Sequence, residues 1–311
     1  MIILRILAFP VGFFYFVFSK KGRTESMRFL KKVAPFIDDP ETSKKCRSRT
    51  GPMRHIISFA ITLVEKLQSW GGKFNFNNIH FKDDHIGELI KDMESGKGVF
   101  LVCSHLGNIE LLRAIHDLSP TAVSRSVSVT SIMDMEVSAN FNSMLKELNP
   151  KSAMDIISAK TIGPDTAIVL EEKLSAGGLV IIAGDRTSAT ALDSVPDGRA
   201  GKKTMIPFLG EEAPFPLGAF YLICLMKAPV YFVFALRRRD LSLKSEYDVH
   251  VHKGTTGLDS TQEGCTATRK ERLLASSDLA RLFVNSLENY CKKYPFQWYN
   301  FFNFWEKDTW V

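Results

Sequence analysis

In the stretch VFLVCSHLGNIE, residues 99–110, an apolar run gives way to Ser104 and His105, and Glu110 follows the histidine by five positions. A histidine held in one tautomer by a nearby carboxylate is a base able to take a proton from an alcohol near neutral pH. A His and an acid at this spacing also arise by chance and can serve as surface or capping groups, so the pair alone does not assign the chemistry. A second polar break, Asp185-Arg186, follows the apolar run LVIIAG at 179–184. The Arg186 guanidinium can grip a phosphate through two parallel hydrogen bonds, or can pair with Asp185 inside the loop. Cys103 reads as a core cysteine rather than a thiol nucleophile, given strand alternation with Ser104 beside it. Serine-hydrolase, P-loop and dinucleotide-binding fingerprints are absent.

Two such breaks act together only if a scaffold presents them from the same side. Short apolar runs at 99–104, 122–132, 154–159, 179–184 and 230–236 predict strands, several continuous enough to be buried on both faces. Helical patterns near 109–118, 139–148, 165–176 and 216–227 alternate with them, and 268–293 reads as a long last helix stopped by Lys292, Lys293 and Pro295. The alternation predicts an α/β fold around a central, mostly parallel sheet flanked by helices. His105 and Asp185 then each follow a strand end, where open α/β sheets bind ligands. The segment TTGLDSTQEG, 255–264, reads as a surface loop. With 311 residues, 45% apolar and 24% charged, the chain can bury a sizeable core and is not a disordered sequence.

The first 19 residues are apolar except for Arg5, and Lys20, Lys21 and Arg23 follow. As one helix this segment reaches roughly 28 Å, near the hydrocarbon thickness. It reads as a retained membrane anchor, with Arg5 near enough to the end to snorkel and no small-residue cleavage pattern after it. The positive-inside rule places the rest in the cytoplasm. Basic residues recur from Arg28 to Arg54, ahead of an amphipathic helical pattern at 56–70. Beside an anchor, this part of the net charge of +6 reads as attraction to anionic headgroups. No aromatic-basic RNA motif or helix-turn-helix accompanies it, which disfavours nucleic acid. The five cysteines have no metal-ligand spacing and form no even disulfide set.

HLGNIE resembles the His, four residues, Asp/Glu motif of the lysophospholipid acyltransferase superfamily, in particular its bacterial lauroyl/myristoyl lipid A acyltransferase branch. VIIAGDRTS (180–188) resembles that family's strand-to-loop block with a polar substrate contact. IPFLGEEAPFPLGAFYLICLMKAPVYFVFALR (206–237) resembles its loop, helix and strand that shape the acyl pocket, and PFQWYNFFNFW (295–305) resembles its aromatic ending.

The resemblance implies a glycerol-phosphate-acyltransferase-like α/β domain at 80–311, behind a membrane anchor helix at 1–22 and a basic amphipathic helical region at 23–79. It implies transfer of a fatty acyl group from an acyl-carrier-protein thioester to a hydroxyl of a lipid acceptor, a lipid A precursor or related glycolipid, at the inner face of the cytoplasmic membrane. His105 is then the general base and Glu110 its orienting partner, with Asn108, Asp185 and Arg186 contacting substrate. No metal and no cofactor beyond the thioester donor is implied. The partners are the carrier protein, the lipid acceptor and an anionic membrane surface, with no nucleic acid. A lipid-binding or carrier protein without turnover, or a thioesterase or esterase that uses the same base on water, stays open.

Overall fold

The computed structural model describes residues 2–70, 76–82, 85–112, 123–125, 127–133, 155–159, 162–186, 203–258 and 267–305. In chain order its strands are β1 (Ile79–Phe81), β2 (Val99–Cys103), β3 (Val129–Met133), β4 (Asp155–Ser158), β5 (Leu179–Ala183), β6 (Lys203–Phe208), β7 (Glu211–Pro216), β8 (Val230–Arg237) and β9 (Tyr247–Gly254). Its helices are α1 (Ile2–Phe18), α2 (Lys20–Val33), α3 (Pro40–Arg47), α4 (Gly51–Trp70), α5 (Ile86–Glu94), α6 (Pro164–Ser175), α7 (Gly218–Met226) and α8 (Arg269–Lys293).

Seven strands form one sheet in the order β1-β9-β8-β2-β5-β3-β4, parallel throughout except where β9 runs antiparallel to β8. The apolar runs are continuous because both sheet faces are covered. Phe100 and Val102 of β2 join the cluster under α7, α8 and the N-terminal helices, while Val99, Leu101 and Cys103 join the cluster under α5. Phe29, Leu30, Val33 and Cys46 from α2 and α3 belong to the first of these clusters, so these two helices share the core of the sheet.

The expected strands at 99–104, 154–159, 179–184 and 230–236 and the helices at 165–176, 216–227 and 268–293 are present within a few residues. The strand expected at 122–132 starts only at Val129. Of the helix expected at 109–118, the described part is a single 3₁₀ turn, Ile109–Leu112, and the helix expected at 139–148 lies outside the described residues. Four strands were not foreseen. β1 is short, β9 alternates His and Val without a continuous apolar run, and β6 and β7 form a hairpin where a loop was expected. That hairpin turns on Leu209 and Gly210, both with positive φ, the conformation of a tight two-residue turn matched to strand twist.

The N-terminal segment differs most from expectation. α1 ends at Phe18, Ser19 caps α2 by accepting from the Gly22 N–H, and the chain bends by 96° there. Among the described residues no single helix is long and apolar enough to cross a membrane. α1 packs along α4 through Ala8 and Gly12, where an added Cβ would sit 3.0 Å from Ile57. Ten of its large apolar side chains, from Ile3 to Phe18, are exposed. Arg5 turns inward rather than snorkelling: it donates to Gln68 Oε1 (2.6 Å) and the Leu243 carbonyl, with Nε 3.9 Å from Glu65.

The reason is a buried charge. α4 faces the core with a polar stripe at helical spacing, His55, Ser58, Thr62, Glu65 and Gln68, all buried. Glu65 is fully buried against Arg237 at the end of β8, and Ser245 and Tyr247 also donate to it. Burial works against the Arg237 charge, yet Tyr247 and Glu65 hold its pKa above the usual value. Removing one partner of such a pair leaves an uncompensated buried ion. Glu65→Ala is therefore expected to cost about 3–5 kcal/mol in detergent denaturation, and Arg5→Ala, at the partly solvated margin, clearly less. Equal losses would mean the Arg237–Glu65 pair is not the dominant one.

Candidate active site

Parallel pairing in register decides what meets at the strand ends. Cys103 of β2 pairs with Ala183 of β5, so the residues two positions further on, His105 and Asp185, leave the sheet side by side. His105 Nδ1 lies 2.8 Å from Asp185 Oδ1, and the His105 backbone N–H donates to Asp185 Oδ2 at 2.8 Å. The Trp298 indole N–H donates to the same Oδ2 at 3.1 Å. Asp185 is fully buried, whereas a third of the His105 side chain stays open. A carboxylate only accepts, so the proton of a neutral His105 sits on Nδ1 and Nε2 presents its lone pair. Nε2 has no hydrogen-bond partner among the described residues.

The electrostatics suit a neutral base. Burial first, then the Arg186 guanidinium, holds the His105 pKa below its ordinary value against the pull of Asp185. Burial alone would raise Asp185, yet the imidazole beside it, Arg186 and the His105 N–H hold its carboxyl below the usual range. The histidine is thus unprotonated and the aspartate ionised near neutral pH.

The loop after His105 is fixed on two sides. Gly107 has φ +78°, and a Cβ there would stand 2.1 Å from the Ala235 carbonyl, so only glycine fits against β8. Asn108, buried, donates its backbone N–H to that carbonyl at 2.9 Å. On the other side runs the segment after α8. Gly107 N–H donates to the Gln297 carbonyl (2.9 Å), Tyr299 N–H donates to the His105 carbonyl (3.0 Å), and Leu106 bridges to Trp298. The Gln297 amide in turn exchanges hydrogen bonds with the backbone of Arg237. Trp298 is fully buried and its carbonyl accepts from His55 Nε2 at 2.9 Å, which leaves His55 Nδ1 to accept from Ser26.

The structure brings His105, Asp185, Arg186 and the Asn108 backbone together. The carboxylate on Nδ1 is Asp185; Glu110 is the second residue of the 3₁₀ turn, and its side chain lies outside the described residues. Arg186 does not pair with Asp185. One terminal nitrogen donates to the Tyr299 carbonyl (2.8 Å) and reaches Asn300 Oδ1 (3.3 Å), and its guanidinium lies 5.1 Å from the Phe302 ring centre. Arg186 Nε and Asn300 Nδ2 are buried donors without a hydrogen-bond partner among the described residues. Cys103 is a core residue as expected, buried with its thiol donating to the Ile182 carbonyl. Trp298 and His55 carried no sequence signal, although the aromatic ending around Trp298 was itself visible. Among the described residues no group of His, Cys, Asp and Glu is arranged to hold a metal ion.

Comparison with known proteins adds no assignment: no protein-family model matches the chain, and no curated protein matches it.

His55 makes the brace of the site sensitive to acid. Burial lowers its pKa from 6.5 to about 4. The unfolded chain therefore binds the proton first, and stability falls as pH drops from about 6.5 towards about 4, by roughly 3 kcal/mol for this group. Melting temperatures across that range should fall more steeply for the native protein than for His55→Gln, because His105 and Asp185 contribute the same sign to both. Parallel curves would remove His55 from the acid response.

Proposed function

We propose that this chain is a membrane-associated O-acyltransferase that moves a fatty acyl group from an acyl-carrier-protein thioester to a hydroxyl of a lipid acceptor, a lipid A precursor or related glycolipid. One observation carries the reading: a partly open imidazole whose Nδ1 is held by a buried, ionised aspartate, at the carboxyl ends of two neighbouring parallel strands. His105 Nε2 takes the acceptor hydroxyl proton as the oxygen attacks the thioester carbonyl. The tetrahedral intermediate expels the carrier thiolate, and the imidazolium returns the proton to it. Asp185 stabilises the transient imidazolium without itself being protonated. No acyl-enzyme is needed, because a thioester is already activated and the described thiols near the dyad, Cys103 and Cys291, are buried.

Arg186 Nε and Asn300 Nδ2, buried donors with no described partner, support a polar substrate contact beside the dyad. The exposed apolar face of α1 supports membrane attachment, with α1 lying in the interface against the body of the protein. On this reading the catalytic domain faces the cytoplasm at the inner membrane, and the basic N-terminal region favours both the acidic carrier protein and anionic lipid.

The test is acyl transfer from radiolabelled acyl carrier protein to lipid extract. His105→Ala is expected to abolish transfer with the fold intact. Asp185→Asn should lower kcat by about 10²–10⁴-fold, the range for general acid–base groups, and Cys103→Ser should leave activity near normal. The rate should rise with pH through a value below 6.5 and stay level at neutrality, since the lowered His105 is the group that must be unprotonated. Free fatty acid without acylated lipid would make the protein a hydrolase. Binding without turnover would make it a carrier.

A further inference from the structure

At the 96° elbow between α1 and α2 lies an open cleft of about 440 Å³. It is lined by Phe16, Arg23, Met27, Arg28, Lys31 and Arg49, among others, and no lining residue is acidic. The four cations are not equivalent. Arg23 donates to the Phe16 and Val17 carbonyls and so closes the C-terminal end of α1. Arg28 is paired with Glu25 at 2.8 Å, a neutralised surface pair. Lys31 and Arg49 are exposed and make no ion pair among the described residues. Two uncompensated cations thus share a concave surface with the apolar atoms of Phe16 and Met27. Phe13, Phe14, Val17 and Phe18, all exposed on α1, lead up to it.

That juxtaposition matches the two halves of one molecule. We infer that the cleft seats the phosphodiester headgroup of an anionic phospholipid, with Lys31 and Arg49 on the phosphate and the acyl chains running along Phe16, Met27 and the exposed face of α1. An acidic protein surface would also meet the two cations, but it has no use for the adjoining apolar ridge. The geometry therefore favours lipid. The inference rests on the membrane attachment proposed above and adds to it a defined site, where basic residues elsewhere in the helical region supply only diffuse attraction.

The test is flotation of the full-length protein with vesicles of phosphatidylcholine alone or mixed with phosphatidylglycerol, for the native chain, Lys31→Gln/Arg49→Gln, and Lys44→Gln/Arg47→Gln. The last pair removes the same charge from exposed positions at the end of α3. Each cation near an anionic surface contributes about fivefold in affinity, so the cleft variant should lose roughly tenfold to thirtyfold of the preference for anionic vesicles. Its binding to neutral vesicles and its melting temperature should stay unchanged, and the α3 variant should keep the preference. Equal losses in both variants would mean diffuse charge and overturn the site. So would an unchanged preference in the cleft variant, including the case in which that variant instead weakens binding of the acidic carrier protein. If the native chain binds neither vesicle, the membrane reading falls first and the site with it.

Discussion

A carboxylate without access to water must find its hydrogen bonds inside the protein, and at Asp185 that requirement draws three parts of the chain together. The side chain is fully buried and accepts from the His105 backbone, the His105 ring and the Trp298 indole. Leaving such an anion short of donors is far more costly than the bonds themselves are stabilising. The end of β5, the end of β2 and the segment after α8 are therefore fixed to one another, and the orientation of His105 follows from that arrangement. The geometry of the His105–Asp185 pair is a by-product of satisfying an ion in the core.

The same accounting runs through α4. Its inward stripe holds a partner for each region it crosses: His55 for Trp298 and Ser26, Ser58 and Thr62 for the Tyr299 hydroxyl, Glu65 for Arg237, Gln68 for Arg5. A helix whose buried face is polar is specified by its partners rather than by its hydrophobicity. Arg237 links this stripe to Gln297, and Gln297 holds the loop that carries His105. Helix α1 is thus connected to the strand ends through a continuous series of hydrogen-bonded groups.

How much of this was legible in the sequence follows from the kind of signal each part leaves. Fully buried parallel strands such as β2, β5 and β8 leave uninterrupted apolar runs, and they read correctly. β9 does not, because His250 and His252 interrupt its pattern, and the hairpin of β6 and β7 contains three prolines and two glutamates directly after its turn. His105 and Asp185 were each visible as polar residues after a strand, but their pairing depends on β2 and β5 being neighbours in register, which strand order decides and local spacing does not. The helix at 56–70 was visible while its inward polar stripe was not, since apolar periodicity is blind to buried hydrogen bonding. Arg5 looked like a residue reaching for headgroups because its partner lies 60 positions away in Glu65.

The brace at residues 297–300 also imposes an order on biosynthesis. Gln297, Trp298 and Tyr299 leave the ribosome after every described strand of the sheet, whereas α1 leaves it before them. Domains begin to fold as they emerge, from the N-terminus onward. Until Gln297, Trp298 and Tyr299 emerge, His105 lacks its backbone anchor and Asp185 lacks the indole. The geometry of the dyad is therefore completed only when this segment joins the fold, and a chain truncated before Gln297 would lack it.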